Sequence, residues 1–156
     1  MRAEWTRYGV PGWGVGELWT QDGVVLAHDF VFGAGGDADE GRGVSELVAR
    51  LRAFFAGKDV RFDDVELDLS PFTRFQLGVA ERLRGVGRGE TVSYGELAAL
   101  AGYPNAQRAV GTFCARNRFM VFVPCHRVVA ADGIGSYGSA GVRWKRRLLA
   151  LEGVSL

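Results

Sequence analysis

Ser93-Tyr94-Gly95-Glu96, continued by Leu97, Leu100 and Ala101 and closed by Gly102, is the stretch on which the architecture turns. Ser93 and Glu96 have the spacing of a capping box, in which each side chain satisfies the other residue's free amide at a helix start. The apolar positions that follow repeat at helical intervals, and glycine is a common residue just past a helix end. Pro104-Asn105 then predicts the opening of a second helix through Arg108, Val110 and Phe113 to about Asn117. Two short helices joined by a tight glycine-containing turn form a helix-turn-helix candidate, a pattern that also occurs in ordinary cores. Upstream, Ser70-Pro71 reads as a cap followed by proline at a first helical position. Phe72, Phe75, Val79 and Leu83 extend that helix towards the glycine-punctuated loop Gly85 to Gly89.

The first half of the chain has a different pattern. Trp13 to Thr20 and Val24 to Phe30 are apolar-rich runs on either side of Gln21-Asp22-Gly23, and Asp-Gly is a strong hairpin signal. After the loose stretch Gly33 to Gly43, Val44, Leu47, Val48, Leu51, Phe54 and Phe55 recur at helical spacing, with Gly57 as terminator. Val60, Phe62, Val65, Leu67 and Leu69 alternate with charge and predict a further strand. The expected fold class is α/β (α+β) in two domains. Residues 1–70 form a small sheet with a packed helix that serves as scaffold, and residues 71–156 form a mainly helical domain.

Charge separates the same two halves. Residues 1–70 carry 7 Lys/Arg against 13 Asp/Glu, a net −6, and residues 71–156 carry 12 against 5, a net +7. The total of +1 therefore conceals a basic half suited to phosphate backbones, unless these are simply solvated charges. No apolar run reaches the ~20 residues that span a bilayer. Met1 to Trp5 lacks the apolar core of a secretory signal, so a cytoplasmic location is expected. Cys114 and Cys125 are the only cysteines, and His28 and His126 the only histidines. A disulfide framework and a Cys/His zinc site are both unexpected on those counts.

Chemistry concentrates at Pro124-Cys125-His126-Arg127-Val128, which follows the apolar run Phe119 to Val123. A nucleophilic cysteine acts as its thiolate, which a neighbouring base or cation supplies. An isolated free cysteine is otherwise a small buried apolar residue. In an extended segment adjacent side chains point to opposite sides. A bridging water is then the expected proton route from Cys125 to His126.

These motifs resemble the O6-alkylguanine-DNA alkyltransferase family. Thr91-Val92-Ser93-Tyr94-Gly95-Glu96-Leu97-Ala98 is similar to that family's entry to its helix-turn-helix, and Arg108-Ala109-Val110-Gly111 to the start of its recognition helix. Pro124-Cys125-His126-Arg127-Val128 is similar to its active-site motif, and Leu148-Leu149-Ala150-Leu151-Glu152 to its terminal helix. The resemblance is dense over residues 71–156 and general over 1–70. It implies DNA repair by irreversible, single-turnover alkyl transfer from O6-alkylguanine to Cys125, which makes the protein a suicide methyltransferase. His126 would be the base acting through water, Glu152 would orient His126, and Asn117 would brace the turn before the active-site strand.

The resemblance also implies the DNA contacts. The target nucleotide must leave the stack to expose guanine O6. Arg108 would fill the vacated place, and Ala109 and Gly111 would permit close approach to the minor groove of alkylated double-stranded DNA. Tyr94 would help rotate the phosphate and contact the flipped base, with Val128 and Tyr137 lining the pocket and Lys145 near its rim. No cofactor and no metal are implied, and a monomer is expected. Arg118 and Met120 stand where the family frequently has prolines, and Gly138 or Ser139 stands in for its pocket hydroxyl. Three other readings compete: a non-catalytic lesion binder, which lacks the motif cysteine, a helix-turn-helix regulator, and a cysteine hydrolase.

Overall fold

The computed structural model describes residues 3–35, 39–41 and 45–156. It divides into two compact units, Met1–Asp68 with Arg118–Phe122, and Leu69–Asn117 with Val123–Leu156.

The first unit is built on a four-stranded antiparallel sheet. Strands β1 (Glu4–Val10), β2 (Gly14–Gln21), β3 (Val24–Phe32) and the short β4 (Glu40–Gly41) lie in the order β3-β2-β1-β4. The predicted hairpin forms as read. Asp22 and Gly23 take φ of 53° and 82°, the two positive values that a tight turn matching strand twist requires. Helix α1 (Ser45–Phe55) packs the unit's core through Leu47, Val48, Leu51, Phe54 and Phe55, all buried. The Phe55 ring stacks on Phe30 at 4.5 Å and meets Trp13 at 5.2 Å. Val44, like residues 36–38 and 42–43 of the Gly33 to Gly43 stretch, lies outside the described residues.

Two expectations for this half need correction. Strand β1 went unread, although Trp5, Thr6, Tyr8 and Val10 suit a strand and Pro11-Gly12 suits its end. Val60–Leu69 is not a strand. The Val65 amide turns back to the Phe62 carbonyl at 3.0 Å, and only Leu67 bridges, to Val25. The Asp63-Asp64 pair sits in that turn, where acidic residues favour a bend over a ladder.

Polar burial marks the sheet's interior. Gly16 lies opposite Tyr8, whose ring covers it so closely that a Cβ there would stand 2.2 Å from the ring. Tyr8 and His28 are buried, with Tyr8 Oη 2.6 Å from His28 Nε2. His28 Nδ1 bonds the Met120 carbonyl. A carbonyl can only accept, so Nδ1 carries the proton and Nε2 accepts from the tyrosine. The same residues tie Arg118–Phe122 to β3: His28 N donates to Arg118 O at 2.8 Å and Met120 N donates to His28 O at 3.2 Å. A proline at 120 would lack that donor, so the departure from the family's proline is matched by a backbone bond.

The second unit contains α2 (Arg74–Arg84), β5 (Val92–Ser93), α3 (Tyr94–Leu100), α4 (Gln107–Ala115), β6 (Val128–Val129) and α5 (Val142–Leu151). Val79, Leu83, Leu97, Val110, Leu148 and Leu149 are among its buried residues. The Ser93/Glu96 box caps α3 as predicted, with both reciprocal bonds formed at 3.0 and 2.9 Å. Helix α2 starts later than Ser70-Pro71 indicates. Thr73 and Gln76 form a second capping box at 3.2 and 3.0 Å, and residues before it turn through a Phe72 N to Leu69 O bond of 2.9 Å. A reciprocal cap satisfies two helix-end donors, more than Ser70 alone can offer. Helix α4 likewise begins at Gln107, because Asn105 takes a positive φ of 70° and ends the turn rather than opening the helix. Among the described residues no helix is long and apolar enough to cross a membrane.

Candidate active site around Cys125

Cys125 is delivered by a chain reversal. Asn117, just past α4, donates Nδ2 to the Val123 carbonyl at 2.8 Å, and the same carbonyl accepts from the Cys125 amide at 2.8 Å. The Asn117 side chain also bonds the Cys125 thiol. Cys125–Arg127 then forms one 3-10 turn, closed by Arg127 N to Pro124 O at 2.9 Å. This corrects the extended geometry inferred from sequence. Three residues per turn send successive side chains about a third of a circle apart rather than to opposite faces. Proline at 124 supplies a fixed φ before the turn, here −80°. Beyond it, β6 pairs in parallel with β5, Val92 opposite Val128.

His126 and Glu152 come together as the sequence reading asked. Both are buried, with His126 Nε2 3.0 Å from Glu152 Oε2. Glu152 caps the C-terminal end of α5. Arg127 completes the group and was given no role from sequence. Its Nε and Nη2 donate to the two Glu152 oxygens at 3.0 and 2.7 Å, and its Nη1 to Val86 O at 2.8 Å. Glu152 is the only acidic residue after Asp132, in a segment rich in arginine, but nothing in the spacing singles out Arg127 as its partner. Burial would raise the Glu152 carboxyl, yet the bonds from His126 and Arg127 together hold it down at about 2. Burial lowers His126, and Glu152 opposes that shift.

Lys145 is buried among oxygens, not placed at a rim. Its Nζ donates to Val128 O, to Ser136 O at 2.8 Å and to Tyr94 Oη at 3.4 Å. Burial lowers its ammonium to about 8, with the two cysteines pulling the other way. Tyr94 is half-buried at the start of α3, and its hydroxyl also donates to Ser136 O at 3.2 Å. Burial pushes the Tyr137 phenol far up, and Cys125, Cys114 and Glu152 add to the shift. Tyr137 and Lys145 thus act electrostatically on Cys125, and Tyr94 joins them through its bonds to Lys145 and Ser136. Of the two candidates for the pocket hydroxyl, Ser139 is exposed, while Gly138 abuts Ala115 at a φ of 51°.

The Cys125 thiol is itself buried. Burial pushes it well above its ordinary value and Cys114 adds to that, while Lys145 and Asn117 pull it back. At rest the site therefore holds a thiol and a neutral imidazole beside a carboxylate.

Next to these groups, Arg108 and Ala109 are exposed on α4, and Gly111 is half-buried with nothing within 4 Å of where a Cβ would stand. Arg108, Gly111, Thr112 and Ala115 line an open groove of about 790 Å³ together with Tyr94 and Ser136. Among the described residues no group of three or more His, Cys, Asp or Glu is gathered to hold a metal ion.

Known proteins are similar to this chain in sequence and fold. The family described as 6-O-methylguanine DNA methyltransferase, DNA binding domain, matches residues 74–154. The methylated-DNA–protein-cysteine methyltransferase of Methanothermobacter thermautotrophicus is 35% identical over 144 residues, covering 91% of this chain and 81% of its own. A crystal structure of Mycobacterium tuberculosis O6-methylguanine methyltransferase superposes with a TM-score of 0.82 at 35% identity, over 97% of this chain and 93% of that one. One of Mycobacterium tuberculosis OGT in complex with DNA gives 0.79 at 35%, over 95% and 92%. This chain belongs to the methylated-DNA–protein-cysteine methyltransferase family.

Proposed function

We propose that this chain repairs O6-alkylguanine in DNA by moving the alkyl group irreversibly onto Cys125, once per molecule. The observation that carries the reading is the buried His126–Glu152–Arg127 network beside a buried cysteine, in which the two motif residues that follow Cys125 converge on one carboxylate. Glu152 stays ionised and favours a proton on His126. His126 is the base that takes the thiol proton, by way of a water. Sulfur then forms a bond to the alkyl carbon, the carbon–O6 bond breaks, and guanine leaves with the electron pair and regains a proton. No cofactor is required, because the substrate carbon is already activated.

DNA is engaged through α4 in the minor groove. Arg108 takes the place of the extruded nucleotide, which costs a few kcal/mol to unstack, and Ala109 and Gly111 let the helix backbone approach. Tyr94, Val128 and Tyr137 receive the base, and Asn117 keeps the acceptor turn in shape. In this reading residues 71–156 carry DNA surface and acceptor, residues 1–70 act as scaffold, and the protein works as a cytoplasmic monomer. The test is DNA carrying radiolabelled methyl on guanine O6, supplied in excess. One label per chain, located on Cys125 and absent from Cys125→Ser, is expected. Repeated turnover, or label elsewhere, overturns the reading.

A further inference from the structure

Cys114 and Cys125 are eleven positions apart, yet their thiols are hydrogen-bonding neighbours. Backbone bonds build that proximity. Cys114 lies in the last turn of α4, where its carbonyl accepts from the Asn117 amide at 3.3 Å. Asn117 then reaches the Val123 carbonyl, which also holds the Cys125 amide. One residue thus links the carbonyl of the first cysteine to the turn that presents the second. Tyr137 and Lys145 each stand in electrostatic contact with both sulfurs, so the pair is the centre of a cluster. Cys125 is buried, whereas Cys114 is partly exposed.

We propose that Cys114 and Cys125 form a reversible oxidation site, at which a hydroperoxide converts the two thiols into a disulfide that caps the acceptor sulfur. The peroxide oxygen first adds to the more exposed Cys114, giving a sulfenic acid, and water (or an alcohol) leaves. The Cys125 sulfur attacks that sulfenic sulfur, the S–O bond breaks, and a second water carries off the thiol proton. Two thiols lose two electrons in all, and one peroxide gains them. A dithiol reverses the change by thiol–disulfide exchange. A cysteine without such a neighbour would continue to the sulfinic acid, which is not recovered by thiols. A disulfide needs its sulfurs at ~2.05 Å, so oxidation must draw these two neighbouring side chains together. The consequence for repair rests on Cys125 being the alkyl acceptor, but the oxidation itself does not.

The test uses the full chain treated with hydrogen peroxide without DNA, then measured by intact mass and by tryptic digestion without reductant. The expected product has lost two hydrogens and yields one linked pair of peptides, 109–116 joined to 119–127. Methyl transfer from an O6-methylguanine oligonucleotide should fall in step with linkage and return after dithiothreitol. Cys114→Ser should instead gain oxygen on Cys125, and dithiothreitol should not restore it. Oxygen addition to the wild type without the linked peptides overturns the proposal, as does equal recovery of Cys114→Ser. Should Cys114→Ser fail to fold, the linked peptides in the wild type decide alone. Linkage in a protein that transfers no methyl before treatment would sink the repair reading and leave the oxidation site standing.

Discussion

Replacing His28 with Gln should flatten the acid side of the stability curve. Burial lowers His28 from an ordinary 6.5 to about 4, against the bond to Met120 and the nearby Asp29 charge. The unfolded chain therefore takes up a proton near pH 6.5, whereas the folded chain resists until about pH 4. Below pH 6.5 the unfolded state binds more protons, so stability falls as pH falls and the loss is complete only below pH 4. A gap of about 2.5 pH units corresponds to about 3.4 kcal/mol, of which about 2.5 kcal/mol is gone by pH 4.5. Gln can still reach Tyr8 and the Met120 carbonyl but does not titrate. Urea unfolding should be followed by tryptophan fluorescence, since Trp5, Trp13 and Trp19 all lie in the first unit and only Trp144 lies in the second. His126, shifted the same way by burial, remains in both proteins, so the difference between them isolates His28. The gap between wild type and His28→Gln should close by about 2.5 kcal/mol between pH 7.5 and 4.5, a midpoint change of roughly 1 M urea. Parallel curves would refute the burial argument.

Glu152→Gln should cost roughly 3 kcal/mol at neutral pH, because it strands the buried side of Arg127. The Glu152 contribution is full above pH 4.5 and disappears as pH falls towards 2, so at pH 2 variant and wild type should converge in a denaturation series. On the proposed mechanism the same variant, and His126→Ala, should move the single-turnover pH–rate curve with a benzylguanine substrate to higher pH; unshifted curves would remove both residues from the relay. Arg108→Ala should slow repair of duplex DNA by roughly a hundredfold, the equivalent of a few kcal/mol of lost unstacking support, while leaving the reaction with free benzylguanine intact. Equal losses on both substrates would exclude the intercalating role. Gly16→Ala should destabilise by about 1–3 kcal/mol, since its Cβ would fall 2.2 Å from the wedged Tyr8 ring; a thermal melt matching wild type would show that Tyr8 yields without cost.

Local signals were legible where a residue's effect is spent on its own neighbours. Asp22-Gly23, the Ser93/Glu96 box and the apolar stripe of α1 each fix their elements within a few positions. Ser70-Pro71 misled because a stronger reciprocal cap, Thr73 with Gln76, stood three residues on. Val60–Leu69 misled because alternation promises a strand only where a partner edge exists, and here β3 offers a single bridge at Leu67. Cys125, His126 and Glu152 were legible through motif order. Arg127 was not, since nothing in spacing says that a motif arginine and a terminal-helix carboxylate 25 positions apart will share two bonds. The burial of Lys145 was equally hidden, because its acceptors are the main-chain oxygens of Val128 and Ser136, which any sequence could present.

Arg127 and Lys145 bear on how the proposed acceptor is activated. A buried thiol raised above its ordinary value and a histidine lowered below its own cannot rest as a thiolate–imidazolium pair. Ionisation must be coupled to the arrival of the alkyl carbon. Arg127 keeps Glu152 charged whatever the state of His126, so the carboxylate is ready to favour an imidazolium at the moment one forms. Lys145 acts on the other side, pulling the thiol down while its three oxygen partners keep the ammonium in place. The cost of burying that ammonium is visible in its descent to about 8, a loss of stability that packing alone gives no reason to retain. A cysteine kept protonated until substrate closes over it also reserves its full nucleophilicity for a group bound against it. That suits an acceptor proposed to be used once per molecule.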